Sequence, residues 1–142
     1  MSARCFVDTN ILVYAHDATA GEKHRRAKAL VEELWRTRQG VISVQVLHEL
    51  CVNLQRRVRR PLDPATLREI LEDYLAWHVV TLEPSSVLDA LDIERRHQVS
   101  FWDALVIHAA RLSGATVLYT EDLSDGRVYD SIQVRNPLSA SG

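Results

Sequence analysis

The sequence predicts an α/β domain: three α/β/α layers around a mostly parallel sheet of roughly five strands. Three observations carry that expectation. Short β-like runs alternate with amphipathic helical runs along the chain. The first strand-like run has an apolar centre, Cys5-Phe6-Val7, as strands buried on both faces do. The 142 residues, 46% hydrophobic and 25% charged, suit one domain (1–142) with one substantial core.

Residues 4–8 read as the first strand, and a short helix follows through Ile11, Leu12 and Tyr14. In 22–39, Ala27, Leu30, Val31, Leu34 and Trp35 recur at three- and four-residue steps, which specifies an amphipathic helix. Gly40 is its expected stop. Residues 41–43 form a second strand. Ser43 is placed to cap the next helix, whose apolar face is Leu47, Leu50, Cys51 and Leu54. Asp63-Pro64 combines an N-cap with proline at the first helical position. That helix is expected to bury Leu67, Ile70, Leu71, Tyr74 and Leu75. Residues 78–82 form a third strand. Pro84-Ser85 opens another helix, with Val87, Leu88 and Leu91 expected to face inward. Ser100-Phe101-Trp102-Asp103 has the form of a capping box with Asp in place of the usual Glu, and its helix runs to Gly114. Residues 116–119 and 132–135 give the fourth and fifth strands, and the tail after Pro137 is expected to fray.

Composition excludes several classes. The apolar runs are too short to cross a bilayer. The start, MSARCFVDTNILVYA, lacks a basic region and a small-residue cleavage site, so a cytoplasmic location is expected. Cys5 lies in an apolar strand-like run and Cys51 on an apolar helical face. Both read as buried free thiols, in keeping with a reducing compartment. A net charge of -2 does not announce a nucleic-acid binder, but clustered carboxylates would offset a local basic patch.

The chemistry lies in the positions of four acids. Asp8 sits where the first strand ends, and Asp122 just past the end of the fourth. Asp103 falls in the first turn of a helix, and Glu49 within the helix after the second strand. Ligands of an open parallel sheet bind beyond the carboxyl ends of its strands, where strand order reverses. Three of the four acids map directly to that edge, and Glu49 can reach it. Each alone has a plain structural explanation. Asp8 can cap a helix, Asp103 can complement a helix N-terminus, Glu49 can be solvated, and Asp122 can be a turn residue. Four such accidents at one edge are improbable. Converging carboxylates also repel, and no lysine follows Lys28. A divalent cation is the obvious neutraliser, and an all-oxygen site suits Mg²⁺ or Mn²⁺ rather than Zn²⁺.

VDTNILVYA (7–15), SVQVLHEL (43–50), SFWDALVIHAA (100–110) and LYTEDLSDG (118–126) resemble the four acidic motifs of PIN-domain nucleases, in order. The resemblance spans about residues 4–137 and is nearest to VapC-type toxins of bacterial toxin–antitoxin pairs. It implies a metal-dependent endoribonuclease in which Asp8, Glu49, Asp103 and Asp122 are catalytic. Asp8 and Asp103 would be the main metal ligands, and Asp122 would complete the site or hold a second ion. Glu49 would act through water or orient the nucleophile. Asn10 and Thr120 match polar positions that support these acids. The resemblance also implies a cognate antitoxin that silences the site, often by inserting an arginine, and a homodimer. Three tryptophans and several apolar-faced helices independently suggest surplus packing surface. The surface around Trp35 and residues 74–77 is the expected seat for the rest of the partner.

The basic run Arg56, Arg57, Arg59 and Arg60 reads equally as a solvated helix end or as an RNA-backbone contact. Competing readings fail on named positions. A haloacid-dehalogenase-type phosphatase needs an acid where Asn10 stands, and a downstream lysine. A phospho-receiver domain needs a late lysine, and the only lysines are Lys23 and Lys28. His48-Glu49 lacks the second histidine of a zinc-protease helix, which would fall at Val52. The remaining alternatives are a housekeeping PIN nuclease of RNA processing and a non-catalytic PIN-fold binding partner.

Overall fold

A computed structural model describes residues 3–139 of the chain. Six strands form one sheet. They are β1 (Arg4–Val7), β2 (Gly40–Ser43), β3 (His78–Val80), β4 (Ala115–Tyr119), β5 (Val128–Tyr129) and β6 (Ile132–Arg135). The helices are α1 (Thr9–His16), α2 (Glu22–Thr37), α3 (Val44–Arg56), α4 (Pro64–Tyr74), α5 (Ser86–His97) and α6 (Phe101–Leu112). Strand order is β3-β2-β1-β4-β6-β5, parallel except for the β5–β6 hairpin. The chain runs outward from β1 to β2 and β3, then returns to the other flank of β1 with β4. The strand-order reversal therefore lies between β1 and β4, where Val7 pairs with Tyr119. The helices form two groups, α1–α4 and the α5–α6 pair, which give the three-layer α/β/α arrangement.

Local chemistry sets the element ends that matter here. The Ser43, Asp63 and Ser100 side chains accept N–H bonds of the first turns of α3, α4 and α6. The core fills with Phe6, Ile11, Leu12, Ile42, Leu50, Leu54, Ile107 and Leu118.

Several expectations are corrected. The α2 helix ends earlier, with Arg38 left-handed at φ 59°, so Gly40 is not its stop. Gly40 instead starts β2 against the Trp77 ring, where a Cβ would stand 2.5 Å from an indole carbon. On α5 the buried face is Ser86, Ala90 and Ile93, whereas Val87 and Leu88 are exposed. Ser86 goes inward because its hydroxyl meets the buried His108 ring at 3.1 Å. Leu75 also faces outward, since it falls just past the end of α4. The sixth strand, β5, is too short to announce itself by periodicity. Cys5 is buried but Cys51 only half-buried, and both are free. Trp35, Tyr74 and Trp77 pack on one another at 5.1–5.7 Å between ring centroids. Tyr74 and Trp77 are buried and belong to the core, whereas Leu75 between them is exposed, so of the expected docking region it is Leu75 that offers free apolar surface. The fraying expected after Pro137 falls largely outside the described residues. Among the described residues, no helix is long and apolar enough to cross a membrane.

Candidate active site

The ends of β1 and β4 place the central acid. Asp8 follows β1 directly and its backbone N–H donates to the Tyr119 carbonyl at 2.9 Å, which continues the β1–β4 ladder by one step. As the N-cap of α1, its Oδ1 accepts the Thr9 N–H at 2.8 Å. Its Oδ2 accepts the Thr120 hydroxyl at 2.8 Å. The capping role and a functional role coincide at this residue, but an ordinary cap does not need to be 8% exposed. Burial pushes the Asp8 carboxyl up to about 6 from its usual 3.8; the Thr120 and Thr9 bonds oppose that rise, and the charges of Asp122 and Glu49 add to it.

Thr120, itself 1% exposed, also accepts the Asp122 N–H at 3.1 Å and so fixes the loop leaving β4. Partial burial raises the Asp122 carboxyl, the charges of Asp103 and Glu121 raise it further, and the Asn10 side chain opposes this with a hydrogen bond. Asp103 is half-buried in the first turn of α6, with its N–H held by Ser100 Oγ at 3.1 Å. Glu49 is exposed on α3, and its Oε1 accepts from Gln45 Nε2 at 2.9 Å.

Asp8, Asn10, Glu49 and Asp122 line one cleft of about 210 Å³, together with Thr9, Val13 and Asn53. Asp103 is not on its wall and joins the group through its charge on Asp122. Among the described residues, no three His, Cys, Asp or Glu side chains are drawn together closely enough to hold a metal ion as they stand. Sequence reasoning missed Asn53, which stands one helical turn after Glu49 and bonds its carbonyl at 2.8 Å. The i, i+4 spacing from Glu49 was the available signal. It also missed Lys23, which α2 carries to Glu121 at 3.2 Å. Of the basic run, Arg57 borders a second hollow with His48, Glu49, Val52 and Asn53. Arg60 lines a different one, with His16, Asp17 and Thr19. All four arginines are exposed.

The model of the PIN domain family matches residues 5–129. The chain belongs to the PIN domain family. No curated protein sequence matches it. Solved structures share the PIN fold. One is a toxin–antitoxin complex from Klebsiella pneumoniae, with TM-score 0.68 and 20% identity, over 96% of this chain and 98% of that one. VapC20 of Mycobacterium tuberculosis, described as a sarcin–ricin loop cleaving toxin, gives TM-score 0.61 and 22% identity, over 83% of this chain and 91% of that one. DNA-bound VapBC from Salmonella typhimurium gives TM-score 0.63 and 17% identity, over 96% and 99%. At these identities the likeness is one of fold.

Proposed function

We propose that this PIN-domain chain is a Mg²⁺- or Mn²⁺-dependent endoribonuclease and the toxin of a type II toxin–antitoxin pair. The carrying observation is Asp8, a buried acid at the strand-order reversal that shares one cleft with Asp122 and Glu49, and whose carboxyl is raised to about 6 by burial and those two charges together. A fold held together only by packing gains nothing from that arrangement, whereas a cation site does.

The donor set fits such an ion. Its oxygens are hard, Asn10 Oδ1 is buried without a partner among the described residues, and the acids repel one another. Asp8, Asp103 and Asp122 would hold the ion, with Glu49 acting through water. When bound, the ion supplies positive charge to the phosphodiester and a more acidic water. The chain's own residues do the positioning. Thr120 and the Thr9 N–H keep Asp8 oriented, and Asn10 steadies Asp122. Glu49 is the exposed acid at the mouth of the cleft, where it can orient an incoming water. Water attack in line with the leaving oxygen gives a 5′-phosphate and a 3′-hydroxyl.

Mass analysis of the product ends tests the reaction. A 2′,3′-cyclic phosphate would overturn it, because that product requires the 2′-hydroxyl as nucleophile. The toxin role is supported by the toxin–antitoxin structures that share the fold. An apolar groove between α3 and α4, about 640 Å³ and lined by Leu47, Cys51, Leu67, Leu71 and Leu75, offers a seat for the antitoxin. Trp102 and Leu88, 66% and 63% exposed, offer surface for a homodimer in the cytoplasm. Expression alone should arrest growth, Asp8→Asn should relieve the arrest, and the product of the neighbouring reading frame should co-purify. Harmless expression of an active enzyme would replace the toxin with a housekeeping nuclease.

A further inference from the structure

Asp122 is one of two consecutive acids, and the fold treats them differently. Asp122 lines the acidic cleft and Glu121 does not. Glu121 is held instead by two other elements. The Tyr14 hydroxyl of α1 donates to Glu121 Oε1 at 2.8 Å. The Lys23 ammonium, from the first turn of α2, meets Glu121 Oε2 at 3.2 Å. Lys23 also lies 3.4 Å from the Tyr14 oxygen and 4.9 Å from the centre of its ring.

An exposed lysine–glutamate pair by itself contributes little. Here the Lys23 side chain is 50% exposed and that of Glu121 only 24%. The tyrosine adds a part-buried hydrogen bond to the same carboxylate. It also adds a fixed anchor, because α1 buries Ile11, Leu12 and Ala15 in the core. Asn10 and Tyr14 are four residues apart, so they share one face of α1 at successive turns. Asn10 serves Asp122 while Tyr14 serves Glu121. One helix face thus grips both acids, and the lysine closes the grip from α2.

We propose that Tyr14 and Lys23 are positioning residues, which clasp Glu121 outside the cleft and thereby fix the loop that presents Asp122 beside Asp8. The Mn²⁺ and activity readouts below rest on the proposed metal-dependent nuclease; the exchange readout does not. The clasp explains why a cation stands next to an acidic cleft without neutralising it: Lys23 is committed to the neighbouring acid.

Hydrogen exchange on the metal-free protein reads the clasp directly. In Tyr14→Phe, amides of the segment 119–126 should exchange roughly five- to tenfold faster, the scale of one net hydrogen bond. The thermal midpoint should fall by only a few degrees, since the ring and its packing are kept. Calorimetric titration with Mn²⁺ separates positioning from charge. Removing a lysine charge alone makes an acidic cleft bind Mn²⁺ more tightly, whereas loosening Asp122 makes it bind more weakly. Lys23→Met and Tyr14→Phe should each weaken Mn²⁺ binding roughly three- to tenfold, and Lys23→Arg should retain wild-type binding. RNA cleavage should lose kcat in the same order with KM unchanged. Unchanged exchange in Tyr14→Phe, or tighter Mn²⁺ binding in Lys23→Met, would overturn the clasp. If the wild type binds Mn²⁺ with this dependence but cleaves no RNA, the nuclease reading fails and the clasp stands. If the wild type takes up no Mn²⁺, the exchange result alone decides the clasp.

Discussion

The Thr120 hydroxyl donates to Asp8 Oδ2 at 2.8 Å across 112 residues of sequence, and the same oxygen accepts the Asp122 N–H at 3.1 Å. One buried hydroxyl therefore orients an acid at the end of β1 and the loop after β4. Thr120→Val keeps the shape and removes both bonds. The variant should lose about 1–2 kcal/mol of stability, since it leaves a buried carboxylate oxygen and a backbone N–H without partners. The Thr120 bond also holds the Asp8 carboxyl down, so its loss moves that carboxyl upward. The acid limb of the cleavage profile should shift to higher pH. A pH–rate profile with an unmoved acid limb would remove Thr120 from the site.

Asp8→Asn tests the cost of the buried acid. The folded-state carboxyl lies at about 6, above its unfolded value near 3.8. Its contribution to stability is therefore fully present below pH 3.8 and is lost as pH rises through 6. Thermal melts of the metal-free wild type should fall over that window, and those of Asp8→Asn should not. The variant should gain up to about 3 kcal/mol over the wild type at pH 8. It should cleave no RNA in Mg²⁺, and near wild-type cleavage would rule out the assigned role. Because metal binding requires the ionised carboxylate, wild-type affinity for Mn²⁺ should climb as pH rises through 6.

Asp103→Asn separates the fourth acid from the cleft wall. Without metal, Asp103 raises Asp122 by its charge, and in the proposed site it joins Asp8 and Asp122 in holding the ion. Neutralising it should lower the Asp122 carboxyl, leave the fold intact and abolish cleavage. Retained cleavage with Mg²⁺ would reduce Asp103 to the first-turn acid of α6.

Several strand ends and helix caps were legible because they depend on neighbours in sequence, although β3 stops at Val80, two residues short of the expected end, and Ser85 makes no side-chain cap bond to α5. Ser43, Asp63 and Ser100 cap the helices they precede, and Asp8 and Asp122 stand at the strand ends that the apolar runs marked. What escaped depends on distant partners. Ser86 turns inward for a histidine 22 positions away, which a hydrophobicity pattern cannot register. Lys23 reaches Glu121 across 98 positions and Tyr14 reaches it across 107. Cations close in space to the acids were therefore invisible in a search along the chain.

Gly40 shows the same limit, and it yields a stability test. Its place after an amphipathic run suggested a helix stop, but its backbone instead lies against an indole. A Cβ at Gly40 would meet three Trp77 ring atoms at 2.5, 2.6 and 2.7 Å. Trp77 is itself packed edge-on against Tyr74 and Trp35, so the ring has little room to retreat. Gly40→Ala should cost about 1–3 kcal/mol by overpacking, with altered tryptophan fluorescence. An unchanged melting midpoint would show that the ring relaxes freely.

Arg57 and Arg60 belong to one basic run but face different hollows, which makes them a controlled pair. Arg57 shares its hollow with Glu49 and Asn53, both of which also line the acidic cleft. Arg60 shares its hollow with His16, Asp17 and Thr19. If single-stranded RNA crosses the cleft, its backbone passes Arg57 on leaving Glu49. Arg57→Ala should therefore raise KM with kcat nearly unchanged, because a phosphate contact away from the scissile bond binds ground and transition states alike. The slope of log affinity against log salt should become shallower by about 0.7, the value for one phosphate on a single strand. Arg60→Ala should change neither quantity by as much. Equal effects from both arginines would mean a diffuse field rather than a defined path, and no effect from either would leave the run as a solvated helix end.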